Sequence, residues 1–134
     1  MLQQGLVVVL AFIGNLIIQW YANFSGHLPS KGTYLGVSYD SIFVRAIVTQ
    51  FEYLWVLVII NVFFMIGFNI GFATFKNFLT LMLIWLAMGP ISAFVFSALV
   101  LKEKISFVAV LGVVFIIAGS VLVVAQKEVA ALFK

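Results

Sequence analysis

The sequence predicts an all-α integral membrane protein: one domain, residues 1–134, folded as a bundle of four transmembrane helices and used as a dimer. Three observations carry this. Hydrophobic residues make up 66% of the chain and charged residues 8%, with a mean hydropathy of +1.30, whereas a soluble domain is nearer half apolar and a quarter charged. Four apolar runs, at about 5–24, 53–74, 78–101 and 105–125, hold no Lys, Arg, Asp or Glu. Each approaches or exceeds the roughly 20 helical residues that a bilayer core of about 30 Å requires. The runs do not alternate in polarity as the strands of a membrane barrel would.

The first run, Gly5 to Phe24, lacks a basic segment before it. Although Ala22-Asn23-Phe24-Ser25-Gly26 resembles a weak cleavage site, the run reads as a retained helix. Within it Asn15, Gln19 and Asn23 fall at i, i+4 and i+8, and each step of four advances about 40° around the helix. They form one polar stripe beside Trp20 and Tyr21. Two readings stand open: a cavity wall offering amides to a polar ligand, or interhelical hydrogen bonds that hold the bundle together.

The connector from Ser25 to Glu52 opens on the loop signal Gly26-His27-Leu28-Pro29-Ser30-Lys31-Gly32. It then turns amphipathic, with Ile42, Phe43, Ala46, Ile47 and Phe51 at helical spacing. The expectation is either an interfacial helix or the second span continued past the membrane edge. In that second span Asn61 and Asn69 share a face with Met65 between them, and Gly67 and Gly71 form a GxxxG pair. The glycines suit close helix packing or a flexible seam.

Phe75-Lys76-Asn77 and Lys102-Glu103-Lys104 are short enough to make antiparallel hairpins of the helices they join. The third span holds Met88-Gly89-Pro90-Ile91-Ser92, where proline removes a backbone hydrogen bond and frees carbonyls near Leu86 and Ala87. The expectation is a broken helix, a feature at which transporters bind substrate, or else a static kink. Trp85 lies one turn earlier, placed to stack on cargo or to pack. In the fourth span Gly112 and Gly119 are seven apart with Ala109 on the same face, a smooth strip for another helix. The tail from Gln126 to Lys134 reads as a frayed extension whose Lys127 and Lys134 sit among headgroups.

An even span count puts both termini on one side, with Lys76, Lys127 and Lys134; the other side holds Lys31, Arg45, Lys102 and Lys104. Three against four gives no orientation by the positive-inside rule and leaves dual insertion open. The basic residues are dispersed, so no nucleic-acid patch forms. Without cysteine there is no disulfide or thiolate site. A lone histidine, His27, with scattered carboxylates makes neither a triad nor a metal cluster. No enzyme activity, cofactor or metal is expected.

The stretch from Leu101 to Val123, with Glu103-Lys104-Ile105-Ser106 leading into a helix that carries Gly112 and Gly119, resembles the drug/metabolite transporter (EamA-like) superfamily. Gly14, Gln19 and the Asn23-Phe24-Ser25-Gly26 exit are similar to the first helix of its four-helix members. The resemblance spans the first helix and the last two. It implies a dimeric transporter, homodimeric or paired with a related four-helix protein, in a bacterial inner membrane. Small multidrug resistance proteins in this superfamily carry an essential glutamate where Ala11 stands here, so proton-coupled cation export is disfavoured. The aminoarabinose-lipid flippase subunits lack that acid, and Gly14-Asn15-Leu16 with Gln19 suits them better.

The expected function is therefore movement of a small polar molecule or a lipid-linked sugar by alternating access. The expected site comprises Asn15, Gln19, Asn61, Trp85, Gly89 and Pro90. Gly112 and Gly119 form the dimer or packing seam, and Arg45 meets a lipid headgroup phosphate. The alternative is a non-transporting membrane subunit of a larger complex. An ion channel would be expected to display a charged ring, which the spans lack.

Overall fold

The computed structural model describes residues 2–125. The tail expected as a headgroup-seated extension lies outside the described residues. In chain order come α1 (Leu2–Gly26), β1 (Lys31–Tyr34), β2 (Val37–Asp40), α2 (Ile42–Glu52), α3 (Leu54–Phe75), α4 (Phe78–Leu99) and α5 (Phe107–Val124). Three of these, α1, α3 and α4, are long and apolar enough to cross a membrane. With 18 residues, α5 measures about 27 Å at 1.5 Å per residue, slightly short of a bilayer core.

α1 lies against both α3 and α4, while α5 rests mainly on α4. The packed centre is small: Val7 and Ala11 of α1 meet Leu81 and Trp85 of α4, with Phe64, Phe68 and Met88 around them. Elsewhere the helices turn apolar side chains outward, among them Val9, Val58, Leu86, Val108 and Phe115. Water would not tolerate so continuous an apolar exterior; hydrocarbon would.

The turns obey local chemistry. Between α3 and α4, Lys76 takes a left-handed conformation (φ 50°) and donates its N–H to Phe72 O at 3.1 Å. Asn77 then caps α4, its side-chain oxygen accepting from Thr80 N at 3.2 Å. Between α4 and α5, a second left-handed lysine, Lys102 (φ 54°), turns the chain so that Glu103 N donates to Ser97 O at 3.0 Å. Ser106 caps α5 through Ala109 N at 3.1 Å.

The first connector departs from expectation. It holds an antiparallel β-hairpin, with Lys31 opposite Asp40 and Tyr34 opposite Val37. The amphipathic helix α2 follows, distinct from α3, because Tyr53 leaves helical geometry (φ −113°, ψ 28°) between them. A two-residue type I′ hairpin turn needs positive φ at both central positions, and Leu35 (φ 50°) and Gly36 (φ 81°) supply it. Isolated hairpins are marginal; this one rests on α2, where Tyr34, Val37 and Tyr39 line a shared hollow with Val44 and Val48.

Leucine is a poor left-handed residue, at a cost of about 1 kcal/mol. Leu35→Asn is therefore expected to strengthen the hairpin by roughly 0.5–1 kcal/mol. Slower amide hydrogen exchange across residues 31–40 would show it; unchanged or faster exchange would contradict it.

Candidate functional site

α1 packs on α4 and sets the first amide of its stripe, Asn15, against it. Asn15 is half-buried, and its Nδ2 donates to Ala11 O at 2.8 Å. Its Oδ1 reaches α4 at Gly89, 3.5 Å from where a Cβ on that glycine would stand. A Cβ there would stand in ordinary van der Waals contact with the amide. One turn on, the buried Ser92 donates its Oγ to Gly89 O at 2.8 Å. A polar locus of Asn15, the Gly89 backbone and Ser92 thus lies between two apolar helices.

Gln19, next on the stripe, is half-buried and makes no hydrogen bond to any described residue. The backbone carbonyl of Asn23, at the mouth, accepts from His27 Nδ1 at 2.7 Å. Ala11, where the resembled exporters carry their acid, is fully buried against Leu81 and Trp85.

The other expected site residues do not converge on this locus within one chain. Trp85 is buried, stacked on Phe64 (4.3 Å between centroids) and Phe68 (5.1 Å), and lies over Gly67. It acts as the keystone of the helix contact, with its Nε1 buried and unpartnered. Asn61 turns to the outer face of α3, where it lines an open groove of about 460 Å³ with Met65 and Asn69. Pro90 is exposed and lines a second groove, of about 410 Å³, with Gly119 between α4 and α5.

The expected break at Gly89-Pro90 is a continuous stretch of α4 with proline inside it. Only one backbone hydrogen bond is lost at a proline, and the bonds of neighbouring turns carry the helix past it. Glycines Gly67 and Gly71 resolve to close packing: a Cβ on either would strike Trp85 or Leu81. Gly112 and Gly119 are exposed, and a Cβ on either would meet nothing within 4 Å, so no described helix packs closely on the smooth strip of α5.

Arg45 is drawn inward. Its Nη1 donates to Tyr39 Oη at 2.6 Å and pairs with Glu52 Oε2 at 3.1 Å. The hydrogen bond it donates to the Tyr39 hydroxyl, aided by the Glu52 carboxylate, holds the guanidinium above its ordinary pKa despite desolvation. This internal pairing occupies one guanidinium nitrogen expected to reach a lipid phosphate; Nε is buried without a partner. Beside it, Ser25, Ser30, Thr49 and Gln50 rim a partly enclosed hollow of about 280 Å³. The hydroxyl of Tyr21 donates to Thr49 O at 3.3 Å and ties α2 to α1.

Sequence reasoning did not foresee the Tyr39–Arg45–Glu52 chain. Its one local signal is the i, i+7 spacing of Arg45 and Glu52, two turns apart on α2; the hairpin that delivers Tyr39 carried none. Among the described residues no cluster of His, Asp and Glu could hold a metal.

Comparisons with family models, with curated proteins and with solved structures find no match to this chain.

Proposed function

We propose that this chain is a four-span membrane transporter of the drug/metabolite transporter kind, acting as a dimer in a bacterial inner membrane. It would move a small polar molecule or a lipid-linked sugar by alternating access. The observation that supports this most is the amide stripe of α1, whose Asn15 stands against Gly89 of α4. Amides are costly in hydrocarbon unless they serve packing or a polar passage. Asn15 satisfies its donor within its own helix, and Gln19 has no partner among the described residues, so neither is used up in joining helices.

In this reading α1 and α4 shift against each other at Gly89, where no side chain obstructs the Asn15 amide. Pro90 softens α4 at the same level by removing one rung of its backbone ladder. Two copies would bring their α1–α4 polar loci around a shared path, and Gly112 and Gly119 would offer a smooth strip on which a further helix packs. The exposed apolar face of α2, with Phe43, Ile47 and Phe51, would lie in the headgroup layer.

Proteoliposomes loaded with a radiolabelled neutral sugar, or carrying a fluorescent polyprenyl-phosphate sugar, test the reading. The native chain should move one of these probes. Asn15→Leu combined with Gln19→Leu should slow it about tenfold or more, the value of one to two lost polar contacts. Undiminished transport in that variant would refute the site.

A second reading is a non-transporting membrane subunit. The solid Trp85 stack at the centre favours it, since a packed core offers no passage. Purification in mild detergent separates the two: a self-sufficient assembly of this chain supports transport, and an obligatory unlike partner supports the subunit.

A further inference from the structure

We infer that the outer face of α3 is a self-association seam, through which two copies of this chain pair by means of Asn61 and Asn69. Both amides lie on the exposed side of α3 and share a groove of about 460 Å³ with Leu54, Val58, Met65 and Ile66. Neither makes a hydrogen bond to a described residue. The inner side of the same helix is spent on the bundle: Val56, Gly67 and Gly71 are its buried residues.

Depth decides the matter. α3 runs from Leu54 to Phe75, and at 1.5 Å per residue both amides fall within about 7 Å of its midpoint. In a bilayer that is hydrocarbon, where a bare amide costs several kcal/mol and acyl chains offer neither donor nor acceptor. A cover that hydrogen-bonds is required.

A second copy meets the requirement without further assumption. Asparagine is both donor and acceptor, so two asparagines face to face satisfy each other. Met65 lies four residues from each amide. If two α3 helices pair in parallel, Asn61 meets Asn61 and Asn69 meets Asn69. If they pair antiparallel about Met65, Asn61 of each copy meets Asn69 of the other. Either way both amide pairs form together, and Met65 meets its own counterpart. The seam needs only that α3 crosses the bilayer; it does not depend on what, if anything, is transported.

The chain has no cysteine, so single cysteines can be read without background. Met65→Cys in the full chain, oxidised in native membranes, should yield a disulfide-linked dimer of this chain. Ile59→Cys, exposed on another side of α3, should not. Asn61→Leu with Asn69→Leu should weaken dimerisation in micelles by roughly 3- to 30-fold, the range for interhelical amide bonds in lipid. That variant exchanges exposed amides for apolar groups and leaves the inner face untouched, so loss of folding would not mimic the result. The inference is overturned if Met65→Cys stays monomeric, if it links to a different protein, if Ile59→Cys links equally well, or if the double leucine variant dimerises as tightly as the native chain.

Discussion

Gly67→Val is expected to destabilise the protein by about 3 kcal/mol or more, the upper range for overpacking. A Cβ at this position meets Trp85 Cζ2 head on and stands 3.2 Å from Cη2. The indole cannot yield, because Phe64 stacks on it at 4.3 Å and Phe68 at 5.1 Å. The penalty is steric. It therefore persists in lipid, where burying apolar surface between helices contributes little. Thermal unfolding in detergent micelles would measure it.

Two companions make the cause specific. Gly14→Ala, whose Cβ would stand 3.6–3.7 Å from Phe63, Phe64 and Trp85, should change stability by less than about 0.5 kcal/mol. Trp85→Leu should recover part of the Gly67→Val loss, giving a coupling of about 1–3 kcal/mol between the two positions. If the losses simply add, Gly67 matters for some reason other than the indole.

Glu52→Leu is expected to loosen the first connector by about 1–3 kcal/mol. The side chains of Arg45 and Glu52 are only 14% and 27% exposed and stand 3.1 Å apart. Removing the acid leaves a guanidinium in a confined place with the Tyr39 hydroxyl as its remaining partner. Breaking a fully buried pair costs about 3–5 kcal/mol, and the partial exposure here lowers that figure. The double variant Arg45→Leu/Glu52→Leu should regain most of the loss, since two apolar side chains leave no stranded charge. Limited proteolysis within residues 27–53 reads the effect. If the double variant is cut as readily as Glu52→Leu, the pair is not what secures the connector. By contrast Lys31 and Asp40, 2.7 Å apart but well exposed, form the kind of surface pair that contributes little.

The site was legible in part. The helical period placed Asn15, Gln19 and Asn23 on one stripe, and the structure sets its first member, Asn15, beside Gly89. The same period aligned Asn61 with Asn69 but carried no information on whether their shared face turns inward or outward. Trp85 looked free to stack on cargo because a lone aromatic in a sequence does not reveal its neighbours; Phe64 and Phe68, on a different helix, claim it. The β-hairpin was hidden by its brevity, four residues per strand, and by Leu35 in a turn position where asparagine or glycine would have announced it.

Apolar runs free of charge determine where helices form and how long they are, because lipid leaves a backbone little choice but to bond to itself. The long apolar helices α1, α3 and α4, the two tight turns and the polar stripe of α1 are of this local kind; the separation of α2 from α3 and the shortness of α5 are not. Which face of each helix meets another is a different matter. Most faces here are apolar enough for either neighbour or lipid, so shape decides: Gly67 and Gly71 admit Trp85 and Leu81, and that fit turns Asn61 and Asn69 outward and leaves Gly112 and Gly119 exposed. The capture of Arg45 by Tyr39 and Glu52 likewise exists only once hairpin and helix are brought together.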